Sequence, residues 1–492
     1  MNHNIIKRTK IICTIGPASD TYETCKELFF AGMNVMRLNF SHGSYEEHFK
    51  KVEISRRLEE EDGIIMPILL DTKGPEIRTH NFVGGQATIE RDSIVKISME
   101  EVEGTSTLFS VNFAGLYDDV KIGDRIKLDD GNLTLTIIDK DEENKLIVTK
   151  AYNRHTIKNR RGVNCPDTEI SMPYLSEKDI NDIIWGCKNR VHIIAASFVR
   201  TAEDIHDIRK ILIEHNRSDI QIMAKIENPT ALKNIDSIIE ASDSIMIARG
   251  DLGVEIPAEE VPVAQMSIIK KCRIAGKPVV TATQMLDSMK SNPNPTRAEV
   301  SDVANAVLDS TDAVMLSAES ANGEYPVLAC SMQAKIADNI EAYLNYSQLA
   351  QEAYETSHKN NNDAIANAVA NIASLIGASL IISFSRTSKT SRRISKARPC
   401  CPILSVSDSR SACFGACLHW GVYPLLVKAL PEFIEDMEVL AILKAKQVGL
   451  KPGDKVILTG GTPVGSGKSN FMKILKIPEP RGVRLWCVTL FQ

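Results

Sequence analysis

Lys225-Ile226-Glu227 sets an ammonium and a carboxylate two positions apart in a β-branched run, so a strand's alternation projects both to one face. The next run ends in Ala248-Arg249-Gly250-Asp251-Leu252-Gly253, adding a second carboxylate beside a glycine that lets a ligand approach the backbone. Two carboxylates on neighbouring strands suit Mg2+ or Mn2+, which take oxygen ligands and keep positions for water or substrate phosphate. Lys225 would then offset negative charge on a phosphoryl group in transfer. The same spacing also admits a structural Lys–Glu pair with Asp251 as a helix cap.

Arg37-Leu38-Asn39-Phe40-Ser41-His42-Gly43 repeats the pattern, since Arg37, Asn39 and Ser41 share a face if the strand continues. The arginine fork suits phosphate or carboxylate. Asn39 and Ser41, with the nearby Asp71-Thr72, offer hard oxygen donors for a second cation, whereas His42 alone reads as a loop hydrogen-bonder. Asp71-Thr72-Lys73-Gly74-Pro75-Glu76-Ile77-Arg78 is a dense charged turn, fit for a hinge beside a site. Thr283-Gln284 closes a further apolar run, where a lone threonine reads as a cap or packing group.

These clusters fall at the ends of short apolar runs: Lys10–Ile15, Asn34–Leu38, Ile64–Leu70, Val191–Phe198, Ile220–Ile226, Ser244–Ala248, Pro278–Thr283 and Ala313–Leu316. Most precede amphipathic helical stretches such as Thr21–Ala31, Ala202–Glu214, Thr230–Ala241 and Glu260–Ala275. Near-continuous apolar strands belong in parallel sheets buried on both faces, and this alternation predicts a (β/α)8 TIM barrel of the α/β class. Chemistry in that fold gathers at the carboxyl ends of the strands, where the polar residues above lie.

The alternation breaks between the third and fourth runs, where about 120 residues replace one helix, far beyond a crossover connection. Short alternating pieces there, such as Ala87–Ile89, Ile94–Ile97, Arg125–Leu128, Leu133–Ile138 and Leu146–Ala151, predict an inserted small antiparallel β-barrel lid. After Tyr343, strands at Ser379–Phe384, Ile403–Val406, Val422–Val427, Lys455–Leu458 and Arg484–Thr489 predict a C-terminal doubly wound α/β domain. The polar Glu352–Asn362 reads as a loop or hinge. The expected domains are residues 1–75 with 173–344, then 76–172, then 345–492.

A length of 492 residues supports roughly three domains of this kind. Lys and Arg total 58 against 63 Asp and Glu, and the net charge of -5 excludes global attraction to nucleic acid or anionic membrane. Any phosphate ligand must therefore be held locally. Eleven cysteines without CxxC spacing, a polar Met1–Lys10 and no bilayer-length apolar run predict a soluble, cytoplasmic chain with reduced thiols. The nearest cysteines in sequence are the adjacent Cys400 and Cys401.

A second group of candidate residues lies in the last domain. Ser385, Arg386, Thr387, Ser388, Lys389 and Thr390 lead into a helical stretch bearing Arg392 and Arg393, an arrangement that favours an anion. Farther on, Gly465, Ser466, Gly467 and Lys468 sit in a glycine-rich segment that misses P-loop spacing by one residue. The basic Arg386–Arg398 stretch could be a solvated face, an RNA patch or an effector-phosphate site; the acidic chain and the lack of nearby aromatic groups favour the last over RNA.

Seven segments in order carry a close resemblance to the pyruvate kinase family: Thr9–Ser19 (TKIICTIGPAS), Arg37–Gly43 (RLNFSHG), Leu70–Arg78 (LDTKGPEIR), Lys225–Asn228 (KIEN), Ala248–Pro257 (ARGDLGVEIP), Thr281–Met289 (TATQMLDSM) and Pro295–Val307 (PTRAEVSDVANAV). The resemblance implies phosphoryl transfer from phosphoenolpyruvate to ADP, giving ATP and pyruvate in the last step of glycolysis. It implies Lys225 as charge stabiliser, Arg37 as phosphate clamp, Glu227 and Asp251 as Mg2+ (or Mn2+) ligands, and Gly250 backbone and Thr283 hydroxyl as substrate contacts. Asn39, Ser41, Asp71 and Thr72 match the K+ site, and Glu76 matches the variant that needs K+, where a lysine would replace the ion. Asn39, His42, Arg78 and Arg161 match nucleotide-side contacts. The Ser385–Thr390 and Gly465–Lys468 segments match an effector pocket for a sugar bisphosphate, usually fructose 1,6-bisphosphate, and the family's assembly implies a homotetramer.

The chain departs from the family's usual pattern at Leu316–Pro326 (LSAESANGEYP) and at Asn132, neither of them a matched catalytic position. Two rivals remain from other classes. A Schiff-base aldolase also places a lysine at a strand end, and a regulatory module could keep the fold without turnover.

Overall fold

Eight strands close into one parallel barrel in the order Lys10–Thr14, Ala313–Leu316, Val279–Ala282, Ser244–Ala248, Gln221–Ile226, Ile193–Ala196, Ile68–Asp71 and Val35–Asn39. The computed structural model describes residues 7–462 and 469–479. Each of the eight expected runs supplies one barrel strand.

Strand alternation sorts each run into two faces. Ile12, Val35, Leu69, Ile193, Ala195, Met223, Met246, Val280, Ala313 and Met315 form the inner cluster. The intervening Ile11, Cys13, Met36, Leu70, Ile194, Ile222, Ala224, Ile245 and Val314 join the larger cluster shared with the helices. Continuing the inward parity past that apolar layer reaches Arg37, Asp71, Ser197, Lys225 and Glu227. Buried charge thus gathers at the carboxyl-terminal rim while the middle of the barrel stays apolar. Helices are started by reciprocal caps, Ser44 with Glu47, Ser176 with Asp179 and Thr296 with Glu299.

The insertion leaves the third barrel strand at a turn that only glycine fits. Gly74 has φ +75°, and a Cβ there would meet the Ser197 Cβ at 2.8 Å. The lid is a seven-stranded sheet with a separate two-stranded ribbon. An antiparallel bridge, Thr79 to Val111, joins its two edge strands and closes it, with His80 N donating to Ser110 O and Asn112 N to Arg78 O, both at 3.0 Å. The expectation of a wholly antiparallel barrel needs one correction: Ile94–Ser98 and Leu108–Ser110 run parallel. Residues 99–107 detour to Phe82, where Val83 N donates to Gly104 O at 2.9 Å, so the chain returns in its original direction.

In the C-terminal region the sheet order is Val422–Leu426, Ile403–Ser407, Leu380–Phe384, Lys455–Gly460 and Phe471–Lys476. The first four are parallel and the last is antiparallel to its neighbour. The strand expected at Arg484–Thr489 lies outside the described residues. Glu352–Asn362 is not one loop, because helix Tyr346–Glu355 runs into it and helix Asn361–Ile376 starts at its end. The polar Asn360 that suggested a loop is a cap, its side chain accepting from Asp363 N.

Leu418 of this region joins the inner barrel cluster, and Lys10 Nζ donates to Val422 O, which seals the amino-terminal end of the barrel. A buried Arg398–Asp312 ion pair at 3.1 Å ties the two parts together. No helix among the described residues is long and apolar enough to cross a membrane.

Candidate active site

The register of the barrel decides which rim residues meet. Asp71 is paired with Asn39 on one side and Ala195 on the other, so the residue after Ala196, Ser197, stands beside it. Both Asp71 oxygens are used: Oδ2 accepts from Arg37 Nε at 2.7 Å, and Oδ1 accepts from Lys225 Nζ at 3.1 Å and Ser197 Oγ at 3.0 Å. Arg37 also donates to Thr14 Oγ1 at 2.8 Å, and Lys225 to Ser197 Oγ at 2.9 Å. Two cations are therefore locked side by side by one carboxylate.

Glu227 completes the cluster. Its Oε2 accepts from Phe198 N at 2.6 Å, and its Oε1 faces Lys225 Nζ at 3.1 Å without forming a hydrogen bond. Only 1% of the Glu227 surface is exposed, which makes that unsatisfied oxygen costly. Burial pushes the Glu227 pKa up to about 7, with the Asp251 charge adding to the effect. Burial likewise raises Asp251, and the Lys225 charge works against that rise. Burial also works against the Lys225 ammonium, but Asp71 and Glu227 outweigh it and hold its pKa above the usual value. Burial opposes the Asp71 carboxylate too, and Arg37 with Lys225 overcomes it.

Asp251 is not the cap of its helix; it sits inside the first turn of Arg249–Glu255, whose cap position is Ala248. Thr283 is more than a cap. Its hydroxyl accepts from Gly250 N at 2.7 Å, and both Thr283 (φ 72°) and Gln284 (φ 55°) are left-handed, a strained state for a β-branched residue. Arg249 holds that turn, donating to Thr283 O at 2.9 Å while forking onto Asp302 at 2.6 and 2.7 Å.

Above the rim, lid and barrel enclose a cleft of about 290 Å3 lined by Glu76, Arg78, Asp130, Arg161, Asp251 and Glu255 among others. Lys127 Nζ donates to Val254 O at 2.6 Å and Asn164 to Glu255 Oε1 at 2.7 Å, so the lid rests on the helix that carries Asp251. Arg78 is braced by Glu76 at 2.9 Å, and Arg161 lies 3.6 Å from Asp129. Asn39 and His42 are outside the cleft lining: Asn39 Oδ1 accepts from Ser41 N at 3.1 Å, and His42 is exposed with its carbonyl accepting from His48. The Thr72 carbonyl accepts from Ser197 Oγ at 2.6 Å. Among the described residues no group of three or more His, Cys, Asp or Glu forms a ready metal cluster.

Sequence patterns did not point to Ser197, Thr14 or the Arg249–Asp302 fork. Ser197 carried one usable signal, its inward parity after Ile193 and Ala195.

At the second site Arg386, Thr387 and Lys389 are exposed and Ser385 is half-buried. The hydroxyls of Ser388 and Thr390 turn inward, to Ser405 at 3.2 Å and Ser469 at 2.7 Å. Arg386 reaches Asp408 at 3.3 Å. Arg392 and Arg393, expected to converge on this loop, do not: Arg393 pairs with Asp363 at 3.5 Å, and Arg392 is half-buried near Gly415. A turn of helix carries both away from its start. Gly465, Ser466, Gly467 and Lys468 lie outside the described residues.

Comparison with known proteins supports a single family. The model of the pyruvate kinase barrel domain matches residues 6–330, and that of the pyruvate kinase alpha/beta domain matches residues 363–475. A pyruvate kinase of Geobacillus stearothermophilus is 46% identical over 477 residues, covering 96% of this chain and 81% of that protein. One of Sporosarcina psychrophila is 45% identical over 470 residues, covering 95% and 80%. The crystal structure of a pyruvate kinase from Cryptosporidium parvum superposes with a TM-score of 0.90 at 37% identity, covering 96% of each chain. The chain belongs to the pyruvate kinase family, and its activity is phosphoryl transfer from phosphoenolpyruvate to ADP, giving ATP and pyruvate.

Proposed function

We propose that the rim cluster performs this transfer by charge and position alone, and the observation that carries the reading is the paired arrangement of Arg37 and Lys225 about Asp71. Phosphoryl transfer through a loose transition state asks for cations in place rather than for a nucleophile. Arg37 spends Nε and one terminal nitrogen on protein partners, which leaves its other terminal nitrogen for the substrate phosphate. Lys225 faces the transferring group from a network that holds it charged. Thr283 and the Gly250 backbone border the side where enolpyruvate takes its proton. Arg78 and Arg161 meet the nucleotide in the cleft, and the lid excludes water from the phosphoryl group.

The unsatisfied Glu227 oxygen beside Asp251 fits a divalent cation, Mg2+ or Mn2+, with both carboxylates as ligands. When bound there, that ion would supply positive charge to offset the negative charge of the phosphoryl group in transfer. Asn39, Ser41, Asp71 and Thr72 are an all-oxygen donor set suited to K+, with Asn39 and Asp71 as cross-strand partners. A lactate-dehydrogenase-coupled assay with phosphoenolpyruvate and ADP tests both ions. Activity should vanish without divalent metal and fall sharply without K+, and Glu76→Lys should abolish the K+ requirement. Full activity of the unsubstituted chain without K+ overturns the second assignment. A Schiff-base role is disfavoured, because that chemistry needs a lysine with a lowered pKa and Lys225 is held the other way.

The exposed Arg386, Thr387 and Lys389 support a sugar bisphosphate such as fructose 1,6-bisphosphate as effector. Replacing Thr387 and Lys389 together with alanine should remove activation by that ligand and leave maximal turnover within about twofold, as expected of exposed positions far from the rim. Phosphoenolpyruvate saturation curves with and without the bisphosphate check this; activation retained by the double variant removes the assignment. The enzyme is assigned to the cytoplasm as a homotetramer, which light scattering tests.

A further inference from the structure

At the amino-terminal end of the barrel, opposite the rim that carries the chemistry, a small cavity lies between the barrel and the C-terminal region. Arg273, Lys277 and Asp312 line it from the barrel side, and Arg392, Lys396 and Arg398 from the other. Lys277 and Asp312 directly precede the strands Val279–Ala282 and Ala313–Leu316, and Lys396 ends the helix Lys389–Lys396. The two sides are packed together: a Cβ on Gly276 would meet Lys396 Cδ at 3.4 Å. Five cations thus surround one carboxylate. Asp312 is fully engaged, since Oδ1 lies 3.1 Å from Arg398 and accepts from Trp420 N at 3.3 Å, while Oδ2 accepts from Val279 N at 3.0 Å. Lys277 donates to three neutral carbonyls, those of Ile239, Glu240 and Ser242, at 2.5, 2.7 and 2.6 Å, so its charge is solvated without being neutralised.

Three donors are left over. Arg273, Arg392 and Arg398 each have a buried Nε without a hydrogen-bond partner. Arg398 is only 2% exposed, and its other nitrogens are engaged, Nη1 with Ser395 O at 2.9 Å and Nη2 with Ser310 O at 3.0 Å and with Asp312. An orphaned donor on a buried cation is costly, and three of them on the residues of one cavity mark a place for an acceptor. We propose that this cavity binds a small monovalent inorganic anion, a halide such as chloride, which accepts from the three Nε groups and ties the barrel to the C-terminal region.

Size and charge select the guest. The cavity measures about 10 Å3, room for one water-sized particle and too little for phosphate, sulfate or an organic carboxylate. A water there would have to place two protons of its own, in a lining whose one carboxylate is already engaged on both oxygens. A monatomic anion accepts from every side and needs no acceptor in return. The electrostatics agree with the geometry. Burial lowers the pKa of Arg398, Arg392 and Lys396, and the neighbouring Asp312, Asp243 and Asp363 do not restore it, so the positive charge is undercompensated. His419 also lines the cavity and stays neutral, because burial, with Arg392, Arg398 and Lys10 adding to it, holds its pKa well below the usual value.

The test uses the full-length enzyme in potassium gluconate and magnesium acetate, whose anions are too large for the cavity, with chloride or bromide titrated in at constant K+ and ionic strength. The melting temperature should rise and then saturate with either halide, because a ligand that binds only the folded state stabilises it. Arg392→Met removes one charged donor, and that side chain makes no hydrogen bond or ion pair among the described residues. The variant should keep its circular dichroism and bind halide at least about tenfold more weakly, as loss of one charge-assisted hydrogen bond implies. Crystals of the unsubstituted enzyme soaked in bromide should show an anomalous peak in the cavity, within hydrogen-bond distance of the three Nε atoms. A melting temperature indifferent to halide, an equal halide response in Arg392→Met, or a bromide-soaked crystal with only water in the cavity overturns the proposal.

Discussion

Lys225→Met is expected to lower kcat by about a thousandfold or more while leaving the KM for phosphoenolpyruvate within a few-fold. Methionine keeps most of the aliphatic stem and removes the charge, so the change isolates what the ammonium does. That charge is placed: Asp71 and Ser197 hold Nζ at 3.1 and 2.9 Å, and Glu227 lies 3.1 Å away. A group already in position when charge develops on the transferring oxygens lowers the barrier without reorganising, and its loss appears in kcat. Arg37 remains on Asp71 through Nε, so ground-state grip on the phosphate should survive. The variant should also be less stable, by about 3–5 kcal/mol, because Asp71 and Glu227 lose a buried partner. Steady-state kinetics and urea denaturation check both. A rise in KM with kcat unchanged would instead make Lys225 a binding residue.

Glu227→Gln should abolish tight divalent-metal binding, lowering the apparent Mg2+ affinity by at least about a hundredfold, as loss of a direct ligand exceeds the 10–100-fold cost of losing a supporting one. Glutamine has the same shape and can still accept from Phe198 N, so the backbone contact at 2.6 Å is retained. What it lacks is the negative charge on the oxygen that has no hydrogen-bond partner. A readout apart from activity is thermal stability. Mg2+ at a hundred times its dissociation constant stabilises the unsubstituted protein by about 2.7 kcal/mol, and its melting temperature should rise accordingly. The variant should show no rise over the same titration. Equal metal-induced shifts in both proteins would exclude Glu227 as a ligand.

Much of this architecture was legible before any coordinates. Local alternation depends only on adjacent residues, so the eight strand runs and the shared face of Lys225 and Glu227 could be read directly. The insertion was visible as a break in that alternation, and the family motifs named the chemistry. What could not be read shares one cause, dependence on partners distant in the chain. Ser197 is a lone serine until closure of the barrel sets it against Asp71 and Lys225, residues 126 and 28 positions away. Arg249 belongs to a quoted motif, but its fork onto Asp302 and its hold on the strained Thr283 turn exist only across neighbouring strands and helices. Arg392 and Arg393 looked like members of an anion site because they are near it in sequence, and helical rotation carried them elsewhere. The parallel pair in the lid depends on a detour held by Phe82 and Gly104, which no local pattern encodes. The sequence by itself therefore determined the elements, their facing and the reacting groups. Only the tertiary structure decided which of those groups meet, because pairing register and barrel closure are set by contacts that no short stretch of chain contains.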